Sequence, residues 1–302
     1  MKWRVDIYRR SPLLVVLLSF CGILLGACQP LEGASTKPVT LRIAGATAMQ
    51  PLLYDLTTAF RQRHPQLFFE LAGGGSTIGE ERVFTGQIDL AVSTLISPTM
   101  PSVALQNQRP ISPLRTPIGL DGLAIIVHPN NPLENLTIAQ LRALYSGQLL
   151  RWEDVGGLPE DVLLISREDG SGSRQLFEAR VMEKERVSLT ALVMPTSADV
   201  VDYVAEHPNA IGYVSRAYVL PFLAQTNPAT GQSAADGQAV RVVALEGQLP
   251  TREAIQSQSY PLIQPLYFVS RTRPTGWLQQ LIDFALSPAG QEIVARYHVR
   301  VR

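Results

Sequence analysis

From Leu41 to Tyr297, short runs of β type alternate with stripes of helical period, and glycine or proline marks most of the junctions. A chain that passes repeatedly from strand to loop to helix is steered to one class: α/β, with helices packed on largely parallel sheets. Strands are predicted over 41–44, 66–71, 88–93, 123–127, 162–166, 211–214, 240–245 and 266–270. Met49, Leu52, Leu53, Leu56 and Phe60 recur at helical spacing, which places one face of a helix against a core. Further helices are predicted over 76–84, from Thr137 to a stop at Gly147, from Gly172 to Glu185, and over 197–206, 276–286 and 288–297. Thr77 with Glu80, and Thr137 with Gln140, have capping-box spacing. Residues 225–238 read as a loop, and no internal repeat is evident.

At 302 residues the chain suggests about two domains. Hydrophobic residues make up 46% and charged residues 17%, enough for sizeable cores and too little charge for long disorder. Lys+Arg and Asp+Glu both number 26, so no basic excess exists to hold a nucleic-acid backbone. Two cysteines can build neither a disulfide scaffold nor a four-thiolate zinc site.

Residues 1–27 have the marks of an export signal. Lys2, Arg4, Arg9 and Arg10 precede an apolar run from Leu13 to Leu25 that is short for a membrane span. The run ends in Leu25-Gly26-Ala27-Cys28, which resembles the lipobox of bacterial lipoproteins and implies cleavage before Cys28 and acylation of its thiol. Cys21 would leave with the signal, the remaining body would be slightly acidic, and residues 28–38 would form a flexible tether.

Three predicted strand ends share a design. Gly45-Ala46-Thr47, Gly73-Gly74-Gly75-Ser76 and Gly170-Ser171-Gly172-Ser173 each lead into a helix. Glycine lets backbone approach a ligand, and a helix N-terminus offers unpaired N–H donors and partial positive charge, a suitable seat for an oxyanion. The same serines and threonines would serve equally as plain helix caps. Arg167 directly precedes the third turn. Its planar guanidinium can grip an oxyanion with two parallel bonds, or it can pair with Glu168 or Asp169. Asp121 opens a strand. An acceptor-only carboxylate there would favour phosphate, which keeps a proton near neutral pH, over sulfate, which has none.

Enzyme motifs are missing. There is no Gly-x-Ser-x-Gly elbow, no Walker loop around Lys2, Lys37 or Lys184, and no dinucleotide fingerprint. His64, His128, His207 and His298 lack metal spacing and read as loop residues.

Taken in order, several segments resemble the PstS-like phosphate-binding proteins of bacterial ABC transporters. They are Gly45-Ala46-Thr47-Ala48, Gly73-Gly74-Gly75-Ser76, residues 141–157, residues 166–174, residues 210–215 and residues 286–292. The resemblance implies a two-lobe periplasmic-binding-protein fold of type II, with the ligand in a cleft between lobes joined by two crossing strands. Lobe 1 would be residues 39–120 plus 262–302, and lobe 2 residues 121–261. It also implies phosphate contacts at Thr47, Ala48, Ser76, Arg167, Ser171, Gly172 and Ser173, with Asp121 matching an aspartate of shorter members.

Two departures stand out. Thr94 occupies a position where the family often carries a charge, and Thr77-Ile78-Gly79 replaces Gly-Thr-Gly. The expectation is a monomeric, lipid-anchored binding protein without metal or cofactor. It would take inorganic phosphate outside the cytoplasmic membrane and hand it to a permease. Binding of sulfate or molybdate, phosphate sensing, or a phosphatase using Ser171 or Ser173 are the alternatives.

Overall fold

The computed structural model describes residues 38–97, 113–223 and 239–301. Cys28 and the predicted export signal, tether and 225–238 loop lie outside them. The first part runs β1 (Val39–Gly45), a 3-10 turn (Thr47–Met49), α1 (Gln50–Arg63), β2 (Leu67–Gly74), α2 (Gly75–Phe84), β3 (Leu90–Ser93) and β4 (Leu114–Val127). The second runs β5 (Asn135–Leu136), α3 (Ile138–Ser146), β6 (Leu163–Arg167), α4 (Gly172–Phe177), β7 (Leu192–Met194), α5 (Ser197–Glu206), β8 (Ala210–Ser215), α6 (Leu220–Leu223), β9 (Arg241–Leu245) and α7 (Arg252–Gln256). The chain then returns through β10 (Ile263–Ser270), α8 (Gly276–Leu286), α9 (Pro288–Tyr297) and β11 (Val299–Arg300).

Both halves use one strand order. The first is β2-β1-β3-β10-β4, and the second is β7-β6-β8-β4 with β9 on the far side of β4. β1 is parallel to β2 and β3, as β6 is to β7 and β8. The two long strands depart from the expected parallel arrangement: β10 is antiparallel to β3 and β4, and β4 is antiparallel to β8 and β9. The reason lies in β4, which serves both sheets. Up to Gly122 it pairs with β10, and from Leu123 onward it pairs with β8. β4 leaves the first sheet in the direction of β1 and β3 and so enters the second against β6 and β8, while β10 brings the chain back and runs against β3 and β4. This is a two-lobe α/β binding-protein fold.

Burial on two faces explains the unbroken apolar run Leu123–Val127. Leu123, Ile125 and Val127 pack with Leu141, Tyr145, Trp152 and Phe177. Ala124 and Ile126 point the other way, to Val200, Val204 and Val214. The first half has its own core, in which the α1 stripe of Met49, Leu52, Leu53, Leu56 and Phe60 meets Ile43, Leu266, Phe268 and Leu281.

Local signals held at most helix ends. Thr137 and Gln140 form a reciprocal capping box on α3, and Gly147 closes it at φ +77°. One expectation fails. α2 is capped by Gly74 in the left-handed region with no side-chain cap. Glu80 is instead fully buried, accepting from Ser93 Oγ at 2.6 Å and facing Arg115 at 3.3 Å. His298 does sit between elements, in the bend joining α9 to β11, but it is fully buried there, with Nδ1 3.1 Å from Asp121 Oδ1.

Candidate functional site

Each of the three glycine–hydroxyl turns delivers its residues to the seam between the halves. β1 ends at Gly45, and the following 3-10 turn carries Thr47 and Ala48. β2 continues through Gly73 and Gly74 into α2, whose second residue is Ser76. Across the seam β6 ends on Arg167, Ser171 caps α4 by accepting from the Arg174 N–H, and Gly172 and Ser173 begin that helix.

These turns border one small cleft lined by Ala46, Thr47, Ala48, Gly75, Ser76, Thr94, Arg167, Ser171, Gly172 and Ser173. Seven expected residues therefore meet at one point: Thr47, Ala48, Ser76, Arg167, Ser171, Gly172 and Ser173. The N-termini of α2 and α4 border it from opposite halves.

Glycine is required where the halves approach most closely. A Cβ on Gly172 would lie 2.3 Å from Thr94 Oγ1 and 2.8 Å from Ser76 Oγ. At Gly75, φ +83° already disfavours a side chain, and a Cβ would meet the Gly170 carbonyl at 2.5 Å.

Arg167 is buried and reaches across the seam. Nη2 donates to Thr47 Oγ1 at 2.9 Å, and Nη1 donates to Ser197 Oγ at 3.0 Å. The ion-pair reading of this arginine is the one seen: Nε and Nη2 form a bidentate pair with Glu168, at 2.9 Å each. Glu168, Thr47 and Ser197 together take four of the five guanidinium protons and leave one on Nη1. Asp169 pairs instead with Arg174.

Asp121 lies behind this lining, not in it. It is fully buried, and both carboxylate oxygens are occupied: Oδ2 accepts from Gln264 Nε2 at 2.7 Å, and Oδ1 faces His298. Asp121 connects to the lining through Gln264, whose Oε1 accepts from Ser173 Oγ at 3.2 Å.

Four residues at the site escaped sequence reading. Thr94 was singled out only for lacking charge, yet it lines the cavity. Ser197 bridges Arg167 and Thr47, its backbone N–H reaching Thr47 Oγ1 at 3.2 Å. Tyr218 donates its hydroxyl to the Thr47 carbonyl at 2.8 Å. Burial pushes that phenol up to about 12, so it is a donor at neutral pH. Gln264 is the fourth. Ser197 at a helix start and Gln264 inside an apolar strand were the available signals; Tyr218 had none.

The fold and the cleft define a class, the two-lobe solute-binding protein. The chain belongs to the PBP superfamily, whose domain model matches residues 32–289. Among its relatives, the phosphate-binding protein PstS of Bacillus subtilis is 21% identical over 259 residues, covering 85% of this chain and 78% of that protein. PstS of Pseudomonas aeruginosa is 24% identical, with 88% and 84% covered. A Clostridium perfringens protein assigned as a phosphate ABC transporter substrate-binding protein, crystallised with phosphate, superposes with a TM-score of 0.73 at 26% identity. The alignment covers 87% of this chain and all of that one. An ABC-type phosphate transport receptor of Vibrio cholerae gives a TM-score of 0.63 at 25% identity, with the same coverage. The chain is a PstS-like member of the superfamily.

Proposed function

We propose that this protein binds inorganic phosphate in the cleft and delivers it to the permease of an ABC transporter. One observation carries the reading: two helix N-termini, five hydroxyls and a buried arginine from separate parts of the chain converge on one small space. Many donors around one ligand offset the cost of desolvating an anion, so the local donor set matters more than net charge. In this reading Thr47, Ala48, Ser76, Arg167, Ser171, Gly172 and Ser173 contact phosphate. The lobes are residues 39–120 plus 262–302 and residues 121–261, and closure of one on the other encloses the ion. The names and bound phosphate of the relatives support the ligand.

Arg167→Ala is expected to weaken phosphate binding at least tenfold, about 1.4 kcal/mol, by calorimetry. Affinity close to that of the wild type would remove the cleft as the site. In this reading the protein binds its ligand and releases it unchanged, and the family match supports that role.

Location follows from the sequence. Cys28 carries a lipid that holds a monomer at the outer face of the cytoplasmic membrane, and among the described residues no helix is long and apolar enough to cross it. Cys28→Ser is expected to abolish incorporation of labelled fatty acid and to release the protein from the membrane fraction.

One observation favours a second reading. The described lining contains no carboxylate, so a fully deprotonated oxyanion such as sulfate or molybdate meets no fixed negative charge there. Competition titrations against phosphate separate the two.

A further inference from the structure

Selecting a protonated anion needs an acceptor in the cleft, and the described lining holds no carboxylate. The remaining candidates are hydroxyls, which donate or accept according to what holds their single proton. For Ser173 that is decided by a buried relay. Ser173 Oγ donates to Gln264 Oε1 at 3.2 Å, and Gln264 Nε2 donates to Asp121 Oδ2 at 2.7 Å. Gln264 and Asp121 are both fully buried, and Ser173 is 2% exposed, so no bulk water competes.

The direction of the relay is not free. A carboxylate only accepts, so it must take the NH2 end of the glutamine, and the carbonyl end must then face Ser173. His298 Nδ1, 3.1 Å from the other carboxylate oxygen, holds Asp121 from behind. The serine proton is drawn toward Gln264, and the oxygen lone pairs are left for the cavity.

We propose that Ser173 is the acceptor that reads the ligand's own proton, with Gln264 and Asp121 as positioning residues that set its polarity. Hydrogen phosphate presents an O–H to those lone pairs. Sulfate presents another oxygen lone pair and is repelled. The selection against sulfate is thus exerted by an uncharged side chain, with the carboxylate acting one residue away. This rests on the assignment of the cleft as a phosphate site.

The test is calorimetric titration of the full chain with phosphate and, separately, with sulfate. Asp121→Asn keeps the shape but lets the Gln264 amide turn its NH2 toward Ser173, freeing the serine proton to donate into the cavity. Gln264→Leu removes the acceptor outright. In both, the phosphate-to-sulfate preference is expected to fall at least tenfold, with sulfate binding more tightly than to the wild type. An unchanged preference, or parallel loss for both anions, overturns the proposal, because a merely structural relay would weaken both alike.

Should either variant fail to melt cooperatively, Ser173→Ala decides. Loss of phosphate affinity with sulfate unaffected supports the acceptor role, and equal loss overturns it. Wild-type protein that binds no phosphate overturns the underlying assignment instead. Wild-type protein that binds phosphate while the variants keep its preference overturns only the relay.

Discussion

Gly172 shows how much of the site depends on a missing atom. It starts α4 with its Cα against Thr94 and Ser76 of the other half, and the nearest backbone carbon of Thr94 would lie 3.1 Å from an added Cβ. Thr94 and Ser76 are themselves buried and hydrogen-bonded to one another, the Thr94 N–H donating to Ser76 Oγ at 3.1 Å, so neither can swing away freely. Gly172→Ala is therefore expected to wedge the halves apart. Phosphate affinity should fall at least tenfold by calorimetry while the melting temperature of the ligand-free protein stays near wild type. At this scale the sequence was informative wherever chemistry is local. Glycine beside a hydroxyl at a helix start marked Thr47, Ser76 and Ser171–Ser173 without any knowledge of the fold. It did not reveal the pairing of Asp121 with His298, which lie 177 positions apart and meet only because β4 and the bend after α9 are folded together. It was silent on Tyr218, which reaches Thr47 across 171 positions.

Elements were legible in proportion to how far their own sequence decides them. α5, α8 and α9 form over the residues predicted, because apolar period and capping residues agree. α3 is a further case, with both reciprocal bonds of its capping box made: Gln140 N–H to Thr137 Oγ1 at 3.1 Å, and Thr137 N–H to Gln140 Oε1 at 2.9 Å. Thr137→Ala should destabilise the fold by about 1 kcal/mol, measured by denaturant unfolding, and leave phosphate affinity unchanged. The same motif misled at α2. Glu80 is drawn inward by Ser93 and Arg115, and the Thr77 N–H, free at the helix start, donates to the Gly170 carbonyl of the other half at 3.1 Å. A tertiary contact outcompeted the local cap. The first half of β4 was missed for a related reason. Arg115, Pro117 and Gly119 give it no strand pattern, and pairing with β10, through an irregularity at Leu266/Tyr267, makes it a strand.

For the whole molecule, one strand order appears twice with no sequence repeat to announce it, and the consequence is a seam with a donor-rich turn on either side. Contacts across that seam include those of Arg167 and Ser197 on Thr47, Gln175 on Thr77, the Thr77 N–H on Gly170, Tyr218 on the Thr47 carbonyl, and Ser173 on Gln264. If the halves close on a ligand, these bonds belong to the closed form, and their strength sets how long the ligand is held. Tyr218 isolates the effect, because its hydroxyl touches the Thr47 backbone and is not among the cavity-lining groups. Tyr218→Phe keeps the ring and leaves one carbonyl without its partner, a cost of about 1 kcal/mol borne only when the halves are together. The expected result is a roughly fivefold loss of phosphate affinity expressed as faster release, with the association rate and the ligand-free melting temperature unchanged. Stopped-flow measurement of both rates checks this. A slower association with unchanged release would mean that the Tyr218–Thr47 bond orders the open cleft rather than latching the closed one.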